Sequence, residues 1–185
     1  MMTVSSAVGI ANWLVYTWLP LYLYERFGMR LAEAGFTATF YIQLAIVGGI
    51  ILGGWLADRW SGATTLGRLY TQIFGVLLAG PALFLLGHAG SHAVLVAALL
   101  FFGAGRGFYA CNTMPVLCQI ARDNLRSTGY GVFNFASCLA GGVVAALAGA
   151  LKGLLSLSRA LEVAAGILFV SCLLLPGIRR TISLS

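Results

Sequence analysis

Arg106 is the residue whose chemistry stands out first. It is the only charge between Ala93 and Ala121, a stretch whose midpoint is residue 107. If that stretch is a membrane helix, the guanidinium lies near the bilayer centre, too deep to snorkel easily to the headgroups. Such an arginine costs at least about 2.5 kcal/mol on insertion scales and must face protein or a wet cavity. At helical spacing Tyr109, Ala110 and Thr113 share its face, with Asn112 nearby on the same segment. An Arg–Tyr–Thr surface can take an anionic group on the guanidinium and hydroxyls on the neighbours. The alternative is a structural arginine that locks two helices through a carboxylate or backbone carbonyls. The acids are poorly placed for that role. Glu25 and Glu33 flank the first loop, Asp58 and Asp123 lie at the other side, and Glu162 opens the last apolar segment. Asn12, Tyr16 and Thr17 form a second polar group, on the first segment. Asn12 and Tyr16 can close a site around Arg106 from the opposite side.

The elements that must position these residues are membrane helices. The chain has 185 residues, of which 60% are hydrophobic and 9% charged, and its mean hydropathy is +0.94. That is too little charge to cover a soluble domain. Met1–Tyr24, Ala34–Ala57 and Ser127–Leu151 carry no Asp, Glu, Lys or Arg. Each is long enough for the roughly 20 residues that span hydrocarbon as a helix. Leu69–Gly105 is also uncharged but is broken by Gly87, His88, Gly90, Ser91 and His92, which predicts two helices and a tight turn. The first stretch lacks a basic leader region, and Asn12, Trp13, Trp18 and Pro20 suit a retained helix. The expected fold is all-α, one domain of six transmembrane helices near 4–24, 33–56, 66–87, 92–121, 127–151 and 160–177. Lysine and arginine distribution places Arg59, Arg68, Arg122, Arg126, Arg179 and Arg180 on one side. Arg26, Arg30, Lys152 and Arg159 fall on the other. The bias predicts cytoplasmic termini and an outward turn at 88–92.

The six segments fall into matched pairs. The second and fifth carry ladders of small residues. Ala45, Gly49, Gly53 and Ala57 form one; Ser137, Gly141, Ala145 and Gly149 form the other. Such stripes let another backbone approach closely in lipid. The first and fourth segments carry the polar groups, and the third and sixth are Leu-rich, as lipid-facing helices should be. This is the pattern of a three-plus-three inverted repeat, which many transporters use.

Several function classes are disfavoured. The net charge of +6 includes no run of Lys or Arg of the kind nucleic acid demands. Cys111, Cys118, Cys138 and Cys172 lack metal-site or disulfide spacing and read as small packing residues. His88 and His92 alone make a poor metal site and read as interfacial residues. No Gly-x-Ser-x-Gly, no His-Glu-x-x-His and no paired intramembrane aspartates point to an enzyme. No cofactor is expected.

Gly54-Trp55-Leu56-Ala57-Asp58-Arg59 closes the second segment. Asp58 can cap a neighbouring helix N-terminus, and Arg59 can pair with Asp58 or with lipid headgroups. This hexapeptide resembles the loop signature of the major facilitator superfamily. The tail departs from it, with Ser61 where Gly is usual and Gly62, Ala63 and Thr64 in place of the basic pair. Thr17-Trp18-Leu19-Pro20 with Tyr24 and Phe27 resembles the seventh helix of a bacterial branch of that family. Gly105 to Asn112 resembles its tenth helix, and Arg126 to Asn134 the entry to its eleventh. Position 110, often Asp in that branch, is Ala110 here.

The resemblance implies the C-terminal six-helix half of a twelve-helix transporter, either a fragment or a unit that works as a homodimer. It implies helices one and four around a central cavity, two and five at the contact between halves, and three and six toward lipid. Gly54, Asp58 and Arg59 would form the conformational loop. Function is then secondary transport of a small organic anion or sugar acid by a multi-pass cell-membrane protein, as a symporter. Its partners are the bilayer, a small-molecule substrate and the missing half or a second copy. The alternative is a non-transporting membrane subunit that only packs against another half.

Overall fold

The computed structural model describes residues 2–150 and 157–173. The described residues form six α-helices: α1 Met2–Phe27, α2 Leu31–Ser61, α3 Gly67–Gly87, α4 His92–Ile120, α5 Arg126–Ala150 and α6 Leu157–Cys172. A single 3-10 turn, Asp123–Leu125, leads into α5. The expected ends at 151 and 177 lie outside the described residues. Among the described residues, four stretches are long and apolar enough to cross a membrane: Leu31–Ser61, Gly67–Gly87, His92–Ile120 and Asp123–Ala150. Turn chemistry sets the breaks. Gly28, at φ 64°, supplies the left-handed residue that ends α1. Ser91 caps α4, its hydroxyl accepting from the Val94 amide at 3.4 Å.

Glycine decides which helices touch. α2 lies on α4, where a Cβ on Gly49 would strike the Ala104 backbone and one on Gly53 the Phe108 Cα at 2.9 Å. The approach is reciprocal. A Cβ on Gly103 would meet the Ile42 carbonyl at 2.6 Å, and one on Gly107 the Ile46 carbonyl at 2.5 Å. On its other flank α4 meets α3 through Gly75 and Gly105, each against the other's carbonyl. α5 lies on α1 in the same way. Gly141 faces the Trp13 ring and the Gly9 carbonyl, and Gly149 faces Trp18. The Trp18 indole N–H donates to the Ala145 carbonyl at 3.0 Å, fixing the α1–α5 register. α6 packs on α3 and α1. The main pairings, α1–α5 with α2–α4 and α1–α6 with α3–α4, interchange when the first three helices are exchanged for the last three.

The small-residue ladders are both used within this unit, α2 against α4 and α5 against α1. The faces left outward on α2 and α5 are bulky: Phe36, Phe40, Leu44, Val47, Ile51 and Trp55 on one, Phe135, Leu139, Val143 and Leu147 on the other. The third and sixth helices, expected to face lipid, are each exposed on one face and buried on the other. α3 exposes Phe74, Leu77, Phe84 and Leu85, but its other face is buried and carries Thr71 and Gln72. α6 exposes Val163, Phe169 and Val170 while burying Leu161, Ala164, Ala165 and Leu168.

Candidate functional site

Arg106 is the central residue of α4, with fourteen residues on either side. At 1.5 Å per residue it lies about 21 Å from each end. Its guanidinium is partly buried and donates to the Tyr16 hydroxyl at 2.8 Å, with Cζ 5.3 Å from the Tyr16 ring centroid. The ring's negative face offsets part of the charge and the hydroxyl occupies one of its donors.

Arg106 also lines a cavity of about 220 Å³ between three helices. α1 contributes Ser5, Val8, Gly9 and Asn12; α4 contributes Arg106, Tyr109, Ala110 and Thr113; α5 contributes Tyr130, Phe133, Asn134 and Ser137. Gly9 and Ser137 touch at the floor, where α1 and α5 come close enough to exclude a Cβ. Among the described residues lining this space none is acidic. A partly buried guanidinium with no carboxylate beside it can pair with an anionic guest. The Asn12 side-chain oxygen is buried and has no hydrogen-bond partner among the described residues.

Five of the six expected binding residues therefore converge. Asn12, Arg106, Tyr109 and Thr113 line the cavity, and Tyr16 holds Arg106 from the side. Asn112 does not join them. It is completely buried and donates to the Phe108 carbonyl at 3.0 Å and to Cys111 Sγ at 3.2 Å. Six residues beyond Arg106, at about 100° per residue, it is turned about 120° from the cavity face. Sequence reasoning missed the α5 wall, where Tyr130, Asn134 and Ser137 recur at helical spacing. It also missed Gln72, a fully buried amide on α3 that donates to Thr113 Oγ1 at 3.3 Å.

The loop motif takes a different partner from the expected ones. Asp58 accepts from Arg68, at the start of α3, at 2.8 Å. It caps no helix: the residue before α3 is Leu66, with no side-chain cap. Arg59 instead lies over the Trp55 ring at 5.9 Å, and Gly54 has open space where a Cβ would stand. The Asp58 carboxylate is 69% exposed, so this ion pair braces the α2–α3 turn and adds little stability. At the α3–α4 turn His88 approaches Glu162 at 3.4 Å and Phe27 packs edge-on against His92. The two imidazoles thus have separate partners, and Glu162 lies against His88. Cys111, Cys118, Cys138 and Cys172 are all free thiols.

Residues 1–146 match the profile of the Major Facilitator Superfamily. The chain belongs to that superfamily. It is 31% identical over 140 residues to a D-galactonate transporter of Escherichia coli O6:H1, covering 73% of this chain and 31% of that protein. It is 30% identical over 132 residues to the probable galactarate/D-glucarate transporter GarP of E. coli K12, covering 69% and 29%. The probable galactarate/D-glucarate transporter GudP of Bacillus subtilis is 29% identical over 176 residues, covering 90% and 38%. The chain thus spans about a third of the length of these relatives. A crystal structure of the peptide transporter POT with alafosfalin superposes at a TM-score of 0.82 and 19% identity, over 97% of this chain and 37% of that one. At that identity the likeness speaks to the fold.

Proposed function

We propose that this chain forms the cavity-bearing C-terminal half of a secondary active transporter for a small organic acid of the sugar-acid class. The observation that carries the proposal is the Arg106 cavity: one midplane guanidinium, no lining acid among the described residues, and hydroxyl and amide groups around it. A guanidinium offers a carboxylate two parallel hydrogen bonds, and the polar groups beside it suit a polyhydroxylated chain. The relatives named for galactonate and for galactarate/glucarate support the same class. Arg106, Tyr109, Thr113 and Asn12 bind substrate, and Tyr16 steadies the guanidinium. Gly54, Asp58 and Arg59 belong to the loop that moves with the α2–α3 turn. The outward apolar faces of α2 and α5 receive a complementary six-helix half or a second copy. The arginine bias sets the N-terminus, the C-terminus and the loops near 60 and 123 in the cytoplasm of a cell-membrane protein.

Ala110 favours a second reading at one point. It stands exposed on the cavity wall and can carry no proton, so coupling, if it exists, draws its titrating group from another part of the assembly. A chain that only packs against a partner would tolerate that loss.

The test is Arg106→Lys in the assembled transporter. The variant keeps the charge and should insert and fold normally while its affinity for an aldonate falls by about tenfold or more. Unchanged affinity would make Arg106 structural and end the assignment.

A further inference from the structure

At one end of the bundle the last turn of α3 meets the first turn of α6. A Cβ on Gly87, which closes α3, would stand 3.2 Å from the Ser158 carbonyl. Beside this close contact His88 and Glu162 face each other across the two helices.

The surroundings of the His88 ring are specific about its protonation. Nδ1 lies 3.1 Å from the Phe84 carbonyl. A carbonyl only accepts, so this contact needs a proton on Nδ1. Nε2 lies 3.4 Å from Glu162 Oε1. An ionised carboxylate also only accepts. A neutral imidazole has one N–H and serves one of these partners, turning a lone pair toward the other. The doubly protonated ring serves both. Two further features favour that cation. The Phe84 ring lies 4.5 Å from the imidazole, centroid to centroid, with 32° between their planes, and an aromatic face attracts positive charge. His88 is also the C-cap of α3, where the helix dipole favours a cation.

The elements that meet here carry other charged and titratable groups. α6 brings the exposed Arg159, one turn before Glu162. α4 opens with His92, packed edge-on against Phe27 of α1. α1 brings Tyr22, whose hydroxyl donates to the Leu86 and Gly87 carbonyls, and ends with Tyr24, Glu25 and Arg26. Arg30 and Glu33 stand where α2 starts. Lys152 lies outside the described residues. Of the two imidazoles, His88 is the one held against a carboxylate.

We propose that His88 and Glu162 form a proton-operated clasp that fastens the start of α6 to the α3–α4 turn. A proton taken from solvent onto Nε2 closes it, and loss of that proton opens it. The side chains are 51% and 37% exposed, so water reaches both. α6 packs on α3 and α1, and this contact governs how firmly its first turns are held. The sign follows from the charge that the contacts favour. The attachment is present in acid and is lost as pH rises through the interval of about 5 to 8 in which histidines discharge. On the topology proposed above this end faces outward, so the clasp responds to external pH. It does not depend on the sugar-acid reading.

Hydrogen exchange of the full chain in detergent tests it, at about pH 5.5 and about pH 8, on either side of the histidine range. Rates are corrected for the intrinsic pH dependence of exchange. The amides of Leu161 to Ala165 in α6 should lose protection about twofold to fivefold at the higher pH, the range of an exposed ion pair. His88→Gln and Glu162→Gln should each give protection that does not vary with pH. His92→Gln should respond as wild type does. Neither clasp residue is a core side chain, so both variants should keep the fold, and unchanged protection in α3 and α4 checks this. A wild type without pH dependence in α6 would overturn the proposal. So would a pH dependence that survives Glu162→Gln, or one that disappears in His92→Gln.

Discussion

Between Arg106 and Tyr16 the distance is 2.8 Å, and that pair shows what a single side chain contributes. The phenol does not neutralise the guanidinium. It orients it beside a cavity with no acid among its described lining residues. A lysine at 106 would keep the charge and lose the planar fork, which is why Arg106→Lys separates recognition from mere electrostatics. The position of this charge was legible in the sequence because charge is scarce in an apolar run and depth follows from counting. Tyr109 and Thr113 were legible through helical spacing. Asn112 was not, because residue type was read without its angle: a polar side chain near the site pointed into the protein. Gln72 was invisible for the opposite reason, since a lone amide between Thr71 and Ile73 carries no periodic signal. The partner of Asp58 was hidden as well, because Arg68 is ten residues away and only the turn brings it back.

Helices in this protein are defined by which face their small residues occupy. The ladders on α2 and α5 were readable as places of close approach, and they are such places. What they approach was not readable, because periodicity gives a face and not its neighbour. The α5 wall was missed because the same helix was read for its packing stripe alone. Ser137 belongs both to that stripe and to the cavity. Packing predicts a clear asymmetry among substitutions. Gly141→Leu drives a side chain into the Trp13 ring and the Gly9 carbonyl. It should cost about 1–3 kcal/mol or more, because the α1–α5 backbones must part. Leu85→Ala removes an exposed side chain from the outer face of α3 and should cost under about 1 kcal/mol. Thermal unfolding in detergent reads the difference. Equal losses for the two variants would mean that the α1–α5 seam is not the tight contact described.

At the scale of the whole molecule, the described residues form a six-helix unit of the major facilitator superfamily with a polar cavity between α1, α4 and α5. Helix number and approximate bounds were legible from hydropathy, since length against bilayer thickness is a strong constraint. Orientation rests on the arginine bias, part of which falls on Lys152, Arg179 and Arg180, outside the described residues. A single cysteine at Ser91→Cys, in a background whose native cysteines are replaced, should react with a membrane-impermeant maleimide added outside intact cells. Labelling confined to inverted vesicles would reverse the topology. The central claim is that this unit carries a cavity for a sugar acid, and uptake measures it most directly. The transporter assembled from this chain and its complementary half is placed in proteoliposomes and supplied with radiolabelled D-galactonate. The account predicts uptake that excess unlabelled D-galactonate abolishes and that excess galactitol, which has the hydroxyls without the carboxylate, leaves intact. Absence of uptake, or competition by galactitol equal to that by D-galactonate, would contradict it.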